Sequence, residues 1–172
     1  IRSPFSIVEP TPYLRSVRGC CLFVFGLHAE CQSCVSTFVN GCIVECKVPA
    51  GRHIVSLPLP DYVNFVVNIR PIEYIEPNSA DCLSLILSFG ADGLSAEYTE
   101  QKLHVGGTVF TIDIHKPLET VTDLDNEVCL FCLQEKAEFP IGQCSDLLVC
   151  QNCLDQRSPQ CQYCPVCKAS AH

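Results

Sequence analysis

Between residues 20 and 116, apolar side chains recur at every second position. Over Cys82–Phe89 the face is Leu83, Leu85, Leu87 and Phe89; over Tyr62–Ile69 it is Val63, Phe65, Val67 and Ile69. Thr108–His115 sets Phe110, Ile112 and Ile114 against Val109, Thr111, Asp113 and His115. A period of two marks half-buried β-strands, whose successive side chains point to opposite faces. Turn signals fall between the runs. Asn40-Gly41 suits a two-residue hairpin, and Ala91-Asp92-Gly93 and Gly106-Gly107 are further candidates. No helical periodicity of useful length precedes residue 118. Residues 20–116 are therefore expected to form an all-β, antiparallel, sandwich-like domain. Residues 1–19 are expected to be irregular, because Pro4, Pro10 and Pro12 block a regular helix. Residues 117–128 carry four acids and no base, the composition of a solvated linker.

Composition narrows the function. The 172 residues are 48% hydrophobic and 17% charged, a globular balance. The formal net charge of −8 argues against a nucleic-acid binder, which needs a basic footprint. The longest strongly apolar run, Cys20–Leu27, is 8 residues, too short for a membrane span. With no methionine, the chain is expected to be a processed or trimmed piece.

The cysteines carry the chemistry. There are 15, an odd number for a fully disulfide-paired scaffold. Seven precede residue 129 and eight fall in the last 44 residues, where Cys-x-x-Cys recurs at 129/132, 150/153, 161/164 and 164/167. In a reducing compartment, cytoplasmic or nuclear, this reads as thiolate–zinc chemistry. The ligand-capable series is Cys129, Cys132, Cys144, Asp146, Cys150, Cys153, Cys164 and Cys167. Four ligands complete a tetrahedral zinc at Zn–S distances of ~2.3 Å, so these eight suffice for two structural Zn2+ ions. A segment of this size cannot bury enough apolar area to fold unaided. Zinc supplies the deficit, on the order of 10 kcal/mol or more per site.

Residues 129–172 resemble a RING finger: Cys-x2-Cys, a loop, Cys-x-His, Cys-x2-Cys, a loop, then Cys-Pro-x-Cys. The spacings are closest to the C-terminal RINGs of inhibitor-of-apoptosis, neuralized and mahogunin-type ubiquitin ligases. The resemblance implies interleaved sites, with Cys129, Cys132, Cys150 and Cys153 on one ion and Cys144, Asp146, Cys164 and Cys167 on the other. Asp146 stands where the family usually has His. A carboxylate is a legitimate zinc ligand, and Cys161 is the competing fourth ligand. The resemblance further implies contacts to an E2 conjugating enzyme from Phe131, Pro165 and Val166. Lys168 takes the basic position that hydrogen-bonds both E2 and ubiquitin. Arg157 stands where the family often carries a large apolar E2 contact. Homodimerisation is a further family trait, although only residues 168–172 follow Cys167. The implied activity is that of a RING-type E3 ubiquitin ligase. It would orient an E2~ubiquitin thioester without a covalent intermediate of its own, while residues 20–116 recruit a protein substrate. The alternative is a degenerate RING that serves as a non-catalytic interaction or dimerisation scaffold.

Other groupings are weaker. Cys31, Cys34, Cys42 and Cys46 suggest a third metal site. On one extended strand, however, Cys42 and Cys46 would lie roughly 13 Å apart, too far for one ion. These thiols, with Cys20 and Cys21, are expected in the core. The histidines at 28, 53, 104, 115 and 172 show no ligand spacing.

Overall fold

A computed structural model describes residues 2–17, 20–39, 42–58, 65–72, 79–90, 95–122, 129, 135–140 and 149–155. The strands are β1 (Phe5–Val17), β2 (Cys20–Ala29), β3 (Ser33–Val39), β4 (Cys42–Val48), β5 (Gly51–Pro58), β6 (Phe65–Pro71), β7 (Cys82–Phe89), β8 (Ala96–Val105), β9 (Thr108–Pro117) and β10 (Thr120–Thr122). A short helix, α1 (Gln151–Asp155), follows. The strands form two sheets, a four-stranded one in the order β10-β1-β2-β5 and a six-stranded one in the order β4-β3-β6-β7-β8-β9. Pairing is antiparallel except between β1 and β10. The all-β expectation for residues 20–116 thus corresponds to the observed architecture.

The alternating apolar positions become the core between the sheets. From β6 and β7, Phe65, Val67, Ile69, Leu83, Leu85 and Leu87 are buried. They meet Phe23, Phe25 and Leu27 of β2 and Val55 and Leu57 of β5 in one cluster. Aromatic rings bridge the layers. Phe23 meets Phe25 at 5.1 Å and Phe65, edge-on, at 5.9 Å; Phe65 stacks on Phe89 at 6.2 Å. Strand β2 is buried on both sides. Its outward-facing Leu22 and Val24 are 1% and 0% exposed, which explains why Cys20–Leu27 reads as a continuous apolar run rather than an alternation.

Three expectations require correction. Residues 5–17 are not irregular but form β1. The prolines are accommodated because β1 leaves register between Val8 and Tyr13. Pro10 and Pro12 fall in that excursion, where a missing N–H breaks no ladder bond. Nor is the start of the acidic segment a solvated linker. Leu118 is buried in the core, its N–H donating to the Ala96 carbonyl (2.9 Å), and Thr120–Thr122 pair with Leu14–Ser16. Finally, β9 is not half-buried. Val109, Phe110 and Ile112 are 48%, 39% and 46% exposed on this edge strand, which has a neighbour on one side only.

The turns follow their residues. Gly106 and Gly107 close a two-residue hairpin, Val105 pairing with Thr108, with φ of +53° and +87°. Such a turn needs left-handed backbone at both positions. Val39 pairs with Cys42; Asn40, Gly41 and 91–94 lie outside the described residues. A second irregularity marks β9, where Ile114 and His115 oppose the single residue Thr99. His115 takes up this bulge with a φ of +52°.

Candidate metal centre

After β10, short backbone links fold the cysteine-rich segment. The Cys129 N–H donates to the Glu135 carbonyl at 2.8 Å, so the chain curls back within six residues. Further on, the N–H groups of Glu138 and Phe139 both donate to the Val149 carbonyl (2.8 and 2.9 Å). The Val149 N–H returns a bond to the Phe139 carbonyl (3.0 Å). This bridge brings the chain back just before Cys150, with Ala137 and Val149 buried. Helix α1 starts at once, its Leu154 N–H donating to the Cys150 carbonyl (3.1 Å) and Gln151 reaching Asp155 one turn on (3.2 Å).

The outcome is a cluster of three buried sulfurs. The Sγ atoms of Cys129, Cys150 and Cys153 lie within 4.8 Å of one another, and the residues are 0%, 3% and 9% exposed. Cys129 Sγ and Cys153 Sγ are 3.9 Å apart. A disulfide requires about 2 Å, and none of the three is disulfide-bonded. In a tetrahedron with ~2.3 Å bonds the ligand–ligand edge is ~3.8 Å, so the spacing suits a shared ion. The Cys153 N–H donates to Cys150 Sγ at 3.4 Å, orienting one sulfur from behind.

Burial pushes the Cys150 thiol up; hydrogen bonds from Cys153 offset part of this, and the neighbouring Cys129 raises it again. Thiolates crowded in a dry site need a cation, and a coordinating ion deprotonates thiols outright. The donor set therefore fits a metal that accepts soft sulfur ligands, which the three cysteines would hold and which would brace the segment.

Of the sequence-expected site residues, the structure brings Cys129, Cys150 and Cys153 together. Cys132, Cys144, Asp146, Cys161, Cys164 and Cys167 lie outside the described residues, as do Phe131, Arg157, Pro165, Val166 and Lys168. Sequence reasoning missed the bridge between Phe139 and Val149 that sets the cluster; the run Leu147-Leu148-Val149 before Cys150 is a signal that could have marked it.

The other thiols behave differently. Cys46 faces the core at 2% exposure, and burial pushes its thiol up to about 12. Cys34 is raised by burial and by Glu45. On the outer face of the six-stranded sheet, Ser84 donates to Asn68 Oδ1 at 2.7 Å and lies 3.1 Å from His104 Nε2. With its proton directed at Asn68, this serine is not an activated nucleophile.

No helix among the described residues is long and apolar enough to cross a membrane. Compared with protein-family models, curated proteins and solved structures, the chain finds no match.

Proposed function

We propose that this chain is a RING-type E3 ubiquitin ligase. The observation that carries the reading is the crosswise meeting of Cys129, from the first Cys-x-x-Cys, with both sulfurs of Cys150-x-x-Cys153. Simple sequential pairing would join the first pair to Cys144 and Asp146 instead. The meeting supports the interleaved ligand order that the RING resemblance implies, with Cys132 completing one Zn2+ and Cys144, Asp146, Cys164 and Cys167 holding the second. All-thiolate coordination makes the first ion structural, a brace rather than a reaction centre.

On this reading the chemistry belongs to the E2. Phe131, Pro165 and Val166 grip the conjugating enzyme, and Lys168 bonds E2 and ubiquitin together. Rate comes from holding the thioester in one attack-ready orientation. The β-sandwich recruits the protein substrate.

The test combines metal analysis with catalysis. The reduced chain should contain two zinc ions. With E1, ATP, ubiquitin and a panel of E2s it should build chains on itself, and Phe131→Ala and Pro165→Ala should slow this at least tenfold. Two bound zincs with no chains from any E2 would replace the ligase with a non-catalytic scaffold. No bound metal would refute both.

A further inference from the structure

The strand excursion in β1 and the bulge in β9 lie beside one cleft of about 510 Å³. Its apolar walls are Ile7, Val8 and Pro12 from β1, Tyr98 from β8 and Ile114 from β9. Its polar groups are Thr11, Gln101, Arg52 and Lys116. Bulges recur where a strand must re-aim side chains beside a binding site. Here the bulged residue His115 also has a left-handed backbone, an uncommon state for a residue other than glycine.

The charge of this cleft runs against the composition of the chain. Acids outnumber bases 19 to 11 overall, yet the described residues of the lining include two cations and no acid. Arg52 and Lys116 are both exposed, and among the described residues neither makes an ion pair. Glu97, next to Tyr98, is engaged by His115 at 2.8 Å. Among the described residues, the cleft therefore presents two positive charges without an ion-pair partner above apolar walls.

Continuity with β9 indicates the shape of the occupant. β9 is the edge of the six-stranded sheet, ten residues long. Phe110 and Ile112 alternate in step with Ile114, pairing with Leu103 and Gln101 on the core-facing side. Both are substantially exposed. A long edge strand with an uncovered apolar face is a template for another strand, and sheets ordinarily blunt such edges. An extended peptide added there gains main-chain hydrogen bonds along β9 and places alternate side chains toward the apolar strip.

We propose that this cleft and the β9 edge bind an extended peptide segment of a partner protein, carrying Asp or Glu beside a Val, Ile, Leu or Phe. The carboxylate meets Arg52 and Lys116, and the apolar side chain seats against Tyr98 and Ile114. The inference deepens the recruitment half of the proposed ligase and rests on that reading only for the fate of what is bound.

The test uses the full, reduced, zinc-loaded chain and a displayed library of random twelve-residue peptides. Enriched peptides should carry the acid–apolar pair. Made synthetically, they should lose at least tenfold in affinity to the Arg52→Glu/Lys116→Glu variant, but little to Arg52→Lys/Lys116→Arg. Phe110→Ser/Ile112→Ser should weaken them too, and N-methylation of alternate peptide amides should abolish binding. Melting temperature and zinc content of each variant establish that the fold is intact. Peptides without acid preference, binding indifferent to the charge reversal, or no enrichment at all would overturn the site. Autoubiquitination reports separately: a ligase that builds chains but selects no peptide loses only the cleft, and a chain that selects peptides but builds none keeps it.

Discussion

Cys129 and Cys153 stand 24 positions apart in sequence, and their sulfurs lie 3.9 Å apart in space. Among the described residues from 129 onward, the buried apolar side chains beside these sulfurs are Ala137 and Val149, so the sulfur cluster should govern the folding of that end. If the proposed pair of zinc ions is bound, Cys129→Ser and Cys153→Ser should each lower the zinc content from two to one or fewer per chain. Loss of the ion should leave residues 129–172 open to proteolysis while the sandwich resists. Metal analysis and limited digestion with mass spectrometry check this. A variant that keeps both ions would detach these sulfurs from the site.

The sandwich should respond to its inter-sheet rings. Phe23 is fully buried and touches rings from its own strand and from the facing sheet. Phe23→Ala should cost about 3–5 kcal/mol, the transfer of the ring plus the cavity it leaves. The midpoint of urea unfolding measures it. At the exposed Phe38 on β3, 60% accessible, the same truncation should cost under about 1 kcal/mol.

Alkaline pH should weaken the fold in two steps. Burial raises the Cys46 thiol from 9.0 to about 12, and burial raises the Tyr98 hydroxyl from 10.0 to about 12. Both groups are neutral when protonated, so the folded state retains protons that the unfolded chain releases. Their contributions are full below the unfolded values and are lost as pH rises toward the folded ones. Stability should therefore fall from pH 9, more steeply from pH 10, by up to about 1.4 kcal/mol per pH unit for each group. Cys46→Ala should flatten the fall between pH 9 and 10, and Tyr98→Phe should flatten it only above 10. Urea midpoints against pH, with reductant present, decide the matter.

The hairpin between β8 and β9 isolates a backbone effect. A Cβ on Gly107 would meet nothing within 4 Å, so any penalty comes from its φ of +87° and not from a clash. Gly107→Val should cost roughly 1–2 kcal/mol, and Gly107→Asn less, because asparagine tolerates left-handed backbone. Equal costs for the two would mean that the turn rearranges.

Strand positions were legible where apolar residues alternate with others, as along Phe65-Val66-Val67, where Val66 is 40% exposed between buried neighbours, and along Leu83–Leu87. Strand β1 was hidden because proline argues against regular structure, and only the partner strand reveals that Pro10 and Pro12 sit where no ladder bond is needed. The same limit applied to Leu118 and Thr120–Thr122, whose acidic surroundings mask a buried leucine and a β-branched run. The alternation in β9 was visible, but that this strand ends up as a sheet edge with Phe110 and Ile112 exposed is not a local property. That Cys150 and Cys153 share a site was readable from their spacing, whereas their meeting with Cys129 was implied only by the resemblance to a RING finger, because no local spacing joins sulfurs more than twenty residues apart. The cleft was not readable, since its side chains come from β1, β5, β8 and β9, and no short window contains them.

Strand β10 has a mechanical consequence. By pairing in parallel with Leu14–Ser16 it moors residue 122 to the strand nearest the start of the chain. Only six residues then separate the last moored position from Cys129. At full stretch seven backbone steps span about 25 Å, less than the width of a small domain. Anything gripped by the sandwich and anything gripped by the sulfur-braced end are thus held on a short common leash, and lengthening residues 123–128 with Gly-Ser repeats would loosen that proximity without touching either surface.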